Sequence, residues 1–215
     1  MKDKKLLSDI KEYLKCYENQ VLEDWYELIR HISVSETGEG IETCCDWIQK
    51  KMEEIGIQVT KYSVKPAPVL VGRFGNDPEK KTVLIYAHYD VKPAGERKLW
   101  HSDPFVPTVR DGKVYARGSA DNKSPLMAHL KALEYFIRRK MEVPVNVIFV
   151  FEGDEECGSR GLEEFLAEHR TELAADLVFF SDGPKDPSGL PIIALGAKGD
   201  LSIHITVETM NRNVH

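Results

Sequence analysis

Each of three short apolar segments of the chain ends in side chains that can bind a metal or move a proton. The segments are 82–87, 146–151 and 176–181, and the side chains that follow them are His88 and Asp90, Glu155 and Glu156, and Asp182. One more carboxylate, Asp121, directly precedes a predicted helix. Taken one at a time, such residues are also ordinary turn and helix-start residues.

Together, these groups point to a metal site. Ligands of open α/β sheets bind beyond the carboxyl ends of the strands, where these side chains would converge. Five carboxylates around one imidazole repel one another unless they are protonated or neutralised by cations. No lysine cluster accompanies them, since Lys92 and Lys123 are the nearest lysines in sequence. A mixed His and carboxylate set suits Zn²⁺, with Mn²⁺ or Co²⁺ as alternatives.

Two spacings indicate how the site would work. In His88-x-Asp90 a carboxylate two residues away can orient the imidazole and raise its basicity. In Glu155-Glu156 two adjacent carboxylates point in different directions, so one can bind metal while the other serves as a general base. The pattern is typical of a metal-assisted hydrolase.

The elements that would position these groups predict an α/β fold. Apolar residues recur at three- and four-residue steps over 6–29 and 41–55, which predicts helices, with Gly56 as a stop signal. Segments 58–63 and 69–74 read as short strands, and a helix follows a Ser124 cap. Alternation of buried strands and helices predicts a three-layer α/β domain with a largely parallel sheet and flanking helices.

Composition excludes several classes of protein. The 215 residues are 42% hydrophobic and 30% charged, with 35 acidic against 29 basic side chains and a net charge of −6. No basic run supports nucleic-acid binding, and no apolar stretch approaches the roughly 20 residues of a membrane span. The charged N-terminus lacks the apolar region of a secretory signal. Four cysteines without metal or disulfide spacing are typical of a reduced, cytoplasmic protein.

The pattern changes near Pro191. Apolar and polar residues alternate over 192–207, interrupted by Gly196 and Gly199, as in a hairpin with one polar face. We therefore expect residues 1–191 to be a catalytic domain and residues 192–215 to begin a second, antiparallel α+β domain that the sequence does not complete.

The motifs at these positions resemble the M20 family of metallopeptidases, and within it the cytosolic non-specific dipeptidase and carnosinase-like branch. The matching segments are YAHYDV at 86–91, WHSDPF at 100–105, DGKVYARGSADNK at 111–123, FEGDEECGS at 151–159 and SD at 181–182. They occur in the family's order from about residue 80 to the end of the chain. The resemblance implies the zinc-peptidase fold with a lid domain, and a homodimer in the full-length protein.

The resemblance also implies a role for each residue. Two metal ions, usually zinc, would be bridged by Asp121. The further ligands would be His88, Glu156 and Asp182, with Asp90 supporting His88. Glu155 would be the general base that deprotonates the attacking water and passes the proton to the leaving amine. A histidine of the lid domain would assist at the substrate oxygen, and His215 falls at its place.

Two departures from the family pattern bear on function. The family commonly has Asp-Asp-Lys-Gly where this chain has Asp121-Asn-Lys-Ser124, which leaves open the cis peptide usual after the bridging ligand. The family's final histidine ligand and most of its lid are absent, so we expect this chain to be the N-terminal part of a longer enzyme.

The leading hypothesis is hydrolysis of dipeptides or short peptides. The alternatives are deacylation of N-acyl amino acids, including succinyl- and acetyl-amino acids, and a catalytically incompetent metal-binding fragment.

Overall fold

Two amphipathic helices begin the chain, as their periodicity predicts. In the computed structural model, α1 spans Lys2–Arg30 without interruption and α2 spans Ile41–Glu54. Gly56 has a φ of 87°, a conformation that favours glycine, and its N–H donates to the Glu53 carbonyl. Gly56 therefore ends α2 as predicted.

The structure describes residues 2–183 and, beyond them, residues 186, 188, 192, 199, 201, 203–207 and 209. The chain divides into two compact units, Met1–Gly183 and Pro184–His215. In the second unit, residues 203–207 are exposed and belong to no strand, although a hairpin was expected there. His215 lies outside the described residues, and the predicted domain boundary after residue 191 stays a prediction.

Seven strands lie in the first unit. They are β1 (Gln58–Tyr62), β2 (Val69–Phe74), β3 (Thr82–His88), β4 (Thr108–Arg110), β5 (Lys113–Tyr115), β6 (Asn146–Glu152) and β7 (Leu177–Phe180). Five of them form one sheet in the order β1-β2-β6-β3-β7, and β4 pairs with β5 separately. β3 is parallel to both β6 and β7, whereas β1, β2 and β6 pair antiparallel. The carboxyl ends of the three parallel strands therefore meet at one edge.

Helices cover both faces of this sheet. Alternate residues of β6 face opposite layers. On one face, Phe149 and Phe151 pack with α2 and α3 (Lys123–Arg138). Ile148 and Val150 pack in a second cluster with Phe165 of α4 (Leu162–Glu168). Burial on both faces explains why this strand is an unbroken apolar run. The predicted α/β class with flanking helices is confirmed.

The third apolar run differs from its prediction. β7 pairs with β3 as expected for a strand, but its four side chains are 47–65% exposed rather than buried on both faces. β7 lies at the edge of the sheet, with β3 as its one neighbour among the described strands. No helix long and apolar enough to cross a membrane occurs in the described part of the chain.

The start of α3 also differs from its prediction. Ser124 was expected to cap the helix, but α3 begins two residues earlier, with Asn122 at the cap position and no capping bond from its side chain. Instead, the Asn122 amide donates to the Ser181 carbonyl, and the Lys123 ammonium donates to the carbonyls of Leu28 and His31. Tertiary hydrogen bonds thus fix the position at which α3 begins.

Candidate metal centre

His88 is the centre of a cluster of carboxylates at the end of β3. Its side chain is fully buried, and its Nε2 atom lies 3.1 Å from Asp121 Oδ1 and 3.3 Å from Asp182 Oδ2. Among the residues that the structure describes, these three form a group whose ligand atoms lie within 4.8 Å of one another, close enough to share one metal ion. The structure thus brings together residues that are 33 and 94 positions apart in sequence.

The donor atoms fit a divalent metal. An imidazole nitrogen and two carboxylate oxygens are ligands that Zn²⁺ accepts, and ligands about 2.1 Å from a tetrahedral metal are about 3.4 Å apart. The distances of 3.1 and 3.3 Å from His88 Nε2 are near that separation. The Asp121–Asn122 peptide bond is cis, so the asparagine does not alter the peptide geometry that the family resemblance implies.

Asp90 holds two parts of the site together. His88 Nδ1 lies 3.1 Å from the Asp90 carbonyl oxygen and 3.3 Å from its Oδ1. The two carboxylate oxygens of Asp90 each accept one backbone N–H at 3.1 Å, from Glu155 and from Glu156. Asp90 therefore contacts both the imidazole and the turn at 155–157; its predicted role of orienting His88 stays a prediction, and sequence reasoning missed its bonds to the turn.

Glu155 and Glu156 diverge as their adjacency predicts. Glu155 Oε2 lies 3.7 Å from His88 Nε2, on the side of the cluster. Glu156 is instead paired with Lys92, whose Nζ atom is 3.4 Å from Glu156 Oε2 and also donates to the Glu156 carbonyl. The assignment of Glu156 as a metal ligand stays a prediction.

The pKa values of the cluster reflect its unbalanced charge. Burial alone would lower the pKa of His88, but the carboxylates of Asp90, Glu155 and Asp182 raise it to about 9. Burial first, and then repulsion by the neighbouring carboxylates, raises the pKa of Glu155 above its usual range. Burial opposes ionisation of Asp90, yet hydrogen bonding to His88 holds its pKa below the usual value.

The two lysines nearest in sequence do not neutralise the His88 cluster. Lys92 engages Glu156, as described above, and Lys123 is buried with its ammonium at the end of α1. Burial lowers the pKa of Lys123. Neither of these lysines therefore offsets the negative charge around His88, in agreement with the sequence analysis.

A short segment after α1 supports the loop that carries His88. The Ser33 hydroxyl donates to the Tyr89 carbonyl at 2.7 Å, and the Val91 N–H donates to the Ser33 carbonyl at 2.8 Å. Ser33 is fully buried. No signal in the sequence marked this serine, because a polar residue just beyond a helix is usually a turn residue.

Two further acidic residues at the end of β6 serve the fold. Glu152 accepts hydrogen bonds from the hydroxyls of Tyr86 at 2.5 Å and Ser159 at 2.7 Å, and burial raises its pKa. Asp154 binds the Arg160 guanidinium through both oxygens, at 2.7 and 3.0 Å. Their hydrogen-bonding partners are thus tyrosine, serine and arginine side chains near the end of β6.

A buried imidazole surrounded by carboxylates at the ends of parallel strands is the kind of centre found in metal-dependent hydrolases. The sequence profile of peptidase family M20/M25/M40 matches residues 84–213, and the chain belongs to this family.

Curated relatives and solved structures agree with this assignment. The Cys-Gly metallodipeptidase dug1 of Schizosaccharomyces pombe is 40% identical over 77% of this chain and 36% of its own length. The crystal structure of human carnosine dipeptidase 1 superposes with a TM-score of 0.79 and 29% identity, over 82% of this chain and 41% of that one. An M20 family metallo-carboxypeptidase from Sulfolobus solfataricus gives a TM-score of 0.75 and 36% identity, over 79% and 38%. The chain thus spans well under half the length of these relatives.

Proposed function

We propose that this chain carries the metal-binding part of an enzyme that hydrolyses dipeptides in a metal-dependent reaction. The observation that carries the proposal is the convergence of His88, Asp121 and Asp182, with the Glu155 carboxylate 3.7 Å from the same imidazole nitrogen. Membership of the M20 family and similarity to named dipeptidases support the choice of reaction.

His88, Asp121 and Asp182 would hold a divalent metal, which we propose to be zinc, and Glu156 would complete the ligand set of a second ion bridged by Asp121. Such ions polarise a carbonyl and make a water acidic near neutral pH. Glu156 would have to leave Lys92, which is 3.4 Å away and half-exposed, to act as a ligand.

Glu155 is the proposed general base. Its raised pKa, caused first by burial and then by neighbouring carboxylates, suits a group that takes a proton from water and returns it to the leaving amine. Asp90 anchors the backbone of this residue and accepts from the imidazole of His88, so it fixes the base relative to the proposed ligands. Asp90 is therefore the residue that links proton transfer to metal binding.

Further parts of the proposal rest on the family resemblance. His215 would come from the lid domain and assist at the substrate oxygen, and the full-length protein would be a homodimer. The cytoplasm is the proposed location, supported by four cysteines that form no disulfide in the structure of the described residues.

A second candidate activity is removal of the C-terminal residue from longer peptides. It is favoured by the 36% identical metallo-carboxypeptidase structure. N-acyl amino acid deacylation stays a third prediction. The three differ in what supplies the carbonyl side of the scissile bond, which is a single amino acid, a peptide or an acyl group.

The full-length protein tests this proposal. Metal is removed with a chelator, Zn²⁺, Mn²⁺ or Co²⁺ is restored, and hydrolysis of Cys-Gly, β-Ala-His, a tripeptide and acetyl- and succinyl-amino acids is measured. We expect metal-dependent turnover with dipeptides fastest, and loss of metal binding in His88→Ala. Metal-independent turnover, or unchanged metal binding in His88→Ala, would contradict the proposal. Faster turnover of the acyl-amino acids would replace dipeptidase by deacylase.

A further inference from the structure

Asn122 connects the two carboxylates that share the His88 imidazole. It follows Asp121 directly in sequence, and its Nδ2 atom donates to the Ser181 carbonyl at 2.9 Å, one residue before Asp182. Asn122 is completely buried. One side-chain amide therefore ties the loop before α3 to the carboxyl end of β7.

The acceptor fixes which end of the amide faces Ser181. A backbone carbonyl accepts only from an N–H, so the nitrogen lies toward Ser181 and the side-chain oxygen points away. That oxygen is buried and has no hydrogen-bond partner among the residues that the structure describes. The hydrogen bond to the Ser181 carbonyl is thus the contact by which the Asn122 side chain joins the two segments.

The neighbouring lysine makes a different connection. Lys123 donates to the carbonyls of Leu28 and His31, at the end of α1, which carries none of the clustered side chains. Of Asn122 and Lys123, Asn122 is the one whose side chain bonds to a segment that carries another carboxylate of the cluster. Asp121 Oδ1 and Asp182 Oδ2 both lie within 3.3 Å of His88 Nε2, and two carboxylates this close repel each other without a cation between them.

We infer that Asn122 is a positioning residue for the metal centre, and this inference rests on the proposed function. By tying the loop of Asp121 to the strand end of Asp182, it holds the two carboxylates at a separation that one metal ion can bridge. Asparagine suits this task because it supplies a neutral N–H donor.

The test uses the metal-free full-length protein titrated with Zn²⁺ against a competing chelator and with Co²⁺ by visible absorption. Asn122→Ala removes the amide, and Asn122→Leu keeps about the same shape while it removes the donor. The matched control is Asn146→Ala. Asn146 ties a loop to the other end of a strand by two bonds to the Asp77 backbone, at 2.8 and 3.0 Å, away from the cluster.

We expect both Asn122 variants to bind Zn²⁺ about 10-fold more weakly, the size typical for groups that orient metal ligands. The Co²⁺ spectrum should change as well, because it reports ligand geometry. Asn146→Ala should lower the metal-free unfolding temperature without altering affinity or spectrum. Wild-type affinity and spectrum in Asn122→Leu, or an equal loss of affinity in Asn146→Ala, would overturn the inference. Absence of metal binding in the wild type would instead overturn the proposed function.

Discussion

The protein contains two groups of acidic side chains, one buried between helices and one partly exposed around the buried His88, and their charges are balanced in different ways. Between α1, α2 and α3, Asp24 pairs with Lys51 at 3.1 Å and with Lys131, while Glu134 pairs with Lys131 and Arg138 at 2.6 Å each. Around His88, the carboxylates of Asp90, Asp121, Glu155 and Asp182 face a single imidazole.

The difference separates a structural role from a functional one. Burial disfavours the charge of Asp24, yet its two lysines hold its pKa below the usual value, so it is a stable anion. At the His88 cluster the pKa of Glu155 is raised instead, first by burial and then by the excess negative charge of the neighbouring carboxylates. A site that binds a divalent cation requires such an excess, whereas a group that joins three helices does not.

The largest expected effect separates proton transfer from metal binding within the His88 cluster. Glu155→Gln should reduce turnover of the metal-loaded full-length protein by about 10² or more, because the amide cannot accept a proton. Zn²⁺ affinity should stay close to that of the wild type, since Glu155 is not a proposed ligand. Steady-state kinetics and metal titration measure the two effects. Activity within a few-fold of the wild type would remove Glu155 as the base.

The second prediction concerns pH and the His88 imidazole. Metal binding requires a neutral imidazole, and the pKa of about 9 means that a proton must be displaced below that pH. Zn²⁺ affinity should therefore rise by up to about 10-fold for each pH unit between 7 and 9 and then level off. The control is His129→Asn, since His129 is also buried but has a lowered pKa. A flat profile in the wild type would contradict the assignment.

The raised pKa of His88 also predicts how the stability of the metal-free protein changes with pH. A raised folded-state pKa means that His88 contributes stability fully below its ordinary pKa of 6.5 and loses that contribution as the pH rises through about 9. Metal-free protein should thus become less stable across this range, while His88→Asn should not lose stability there.

The third prediction removes a cation from the paired group between α1, α2 and α3. Lys131→Met removes the ammonium shared by Asp24 and Glu134 and leaves two largely buried carboxylates short of a partner. We expect a loss of about 2 kcal/mol in the free energy of unfolding. Denaturant unfolding measures the loss, and Zn²⁺ affinity serves as the control and should not change. A stability equal to the wild type would mean that the ion pairs contribute nothing net.

The smallest expected effect compares one carboxylate from each group. Asp182→Asn in the metal-free protein relieves repulsion, so its stability should stay within about 0.5 kcal/mol of the wild type. Asp24→Asn removes a paired anion and should destabilise as clearly as Lys131→Met. Equal destabilisation by the two substitutions would show that the His88 cluster is held together by its own ion pairs.

The sequence predicted most elements that carry the site because their signals are local. β2 and β6 are apolar runs bounded by turn residues, and they appear within a residue of the expected limits. Gly56 marks a helix end by its own conformational preference. The approach of His88 to Asp182 was predicted from strand ends that share one edge, and that of Asp121 from a loop before a helix that returns to this edge; the three lie together in the structure.

What could not be predicted depends on contacts between distant segments. The start of α3 follows from hydrogen bonds of Asn122 and Lys123 to Ser181 and the end of α1, about 60 and 90 residues away. The pairing of Lys92 with Glu156 likewise joins two loops and leaves no local pattern. Hydrophobicity also could not reveal that β7 is exposed, because an apolar run reads the same at the edge of a sheet as at its centre.

The Lys123 ammonium affects local unfolding at the end of α1. The carbonyls at the end of a helix usually turn to water or to a following glycine, so the last turn frays independently. Here the carbonyls of Leu28 and His31 accept from a lysine rooted two residues from Asp121. We therefore expect the last turn of this 29-residue helix and the loop before α3 to open together in hydrogen exchange, because unravelling of the helix end breaks the bonds to Lys123.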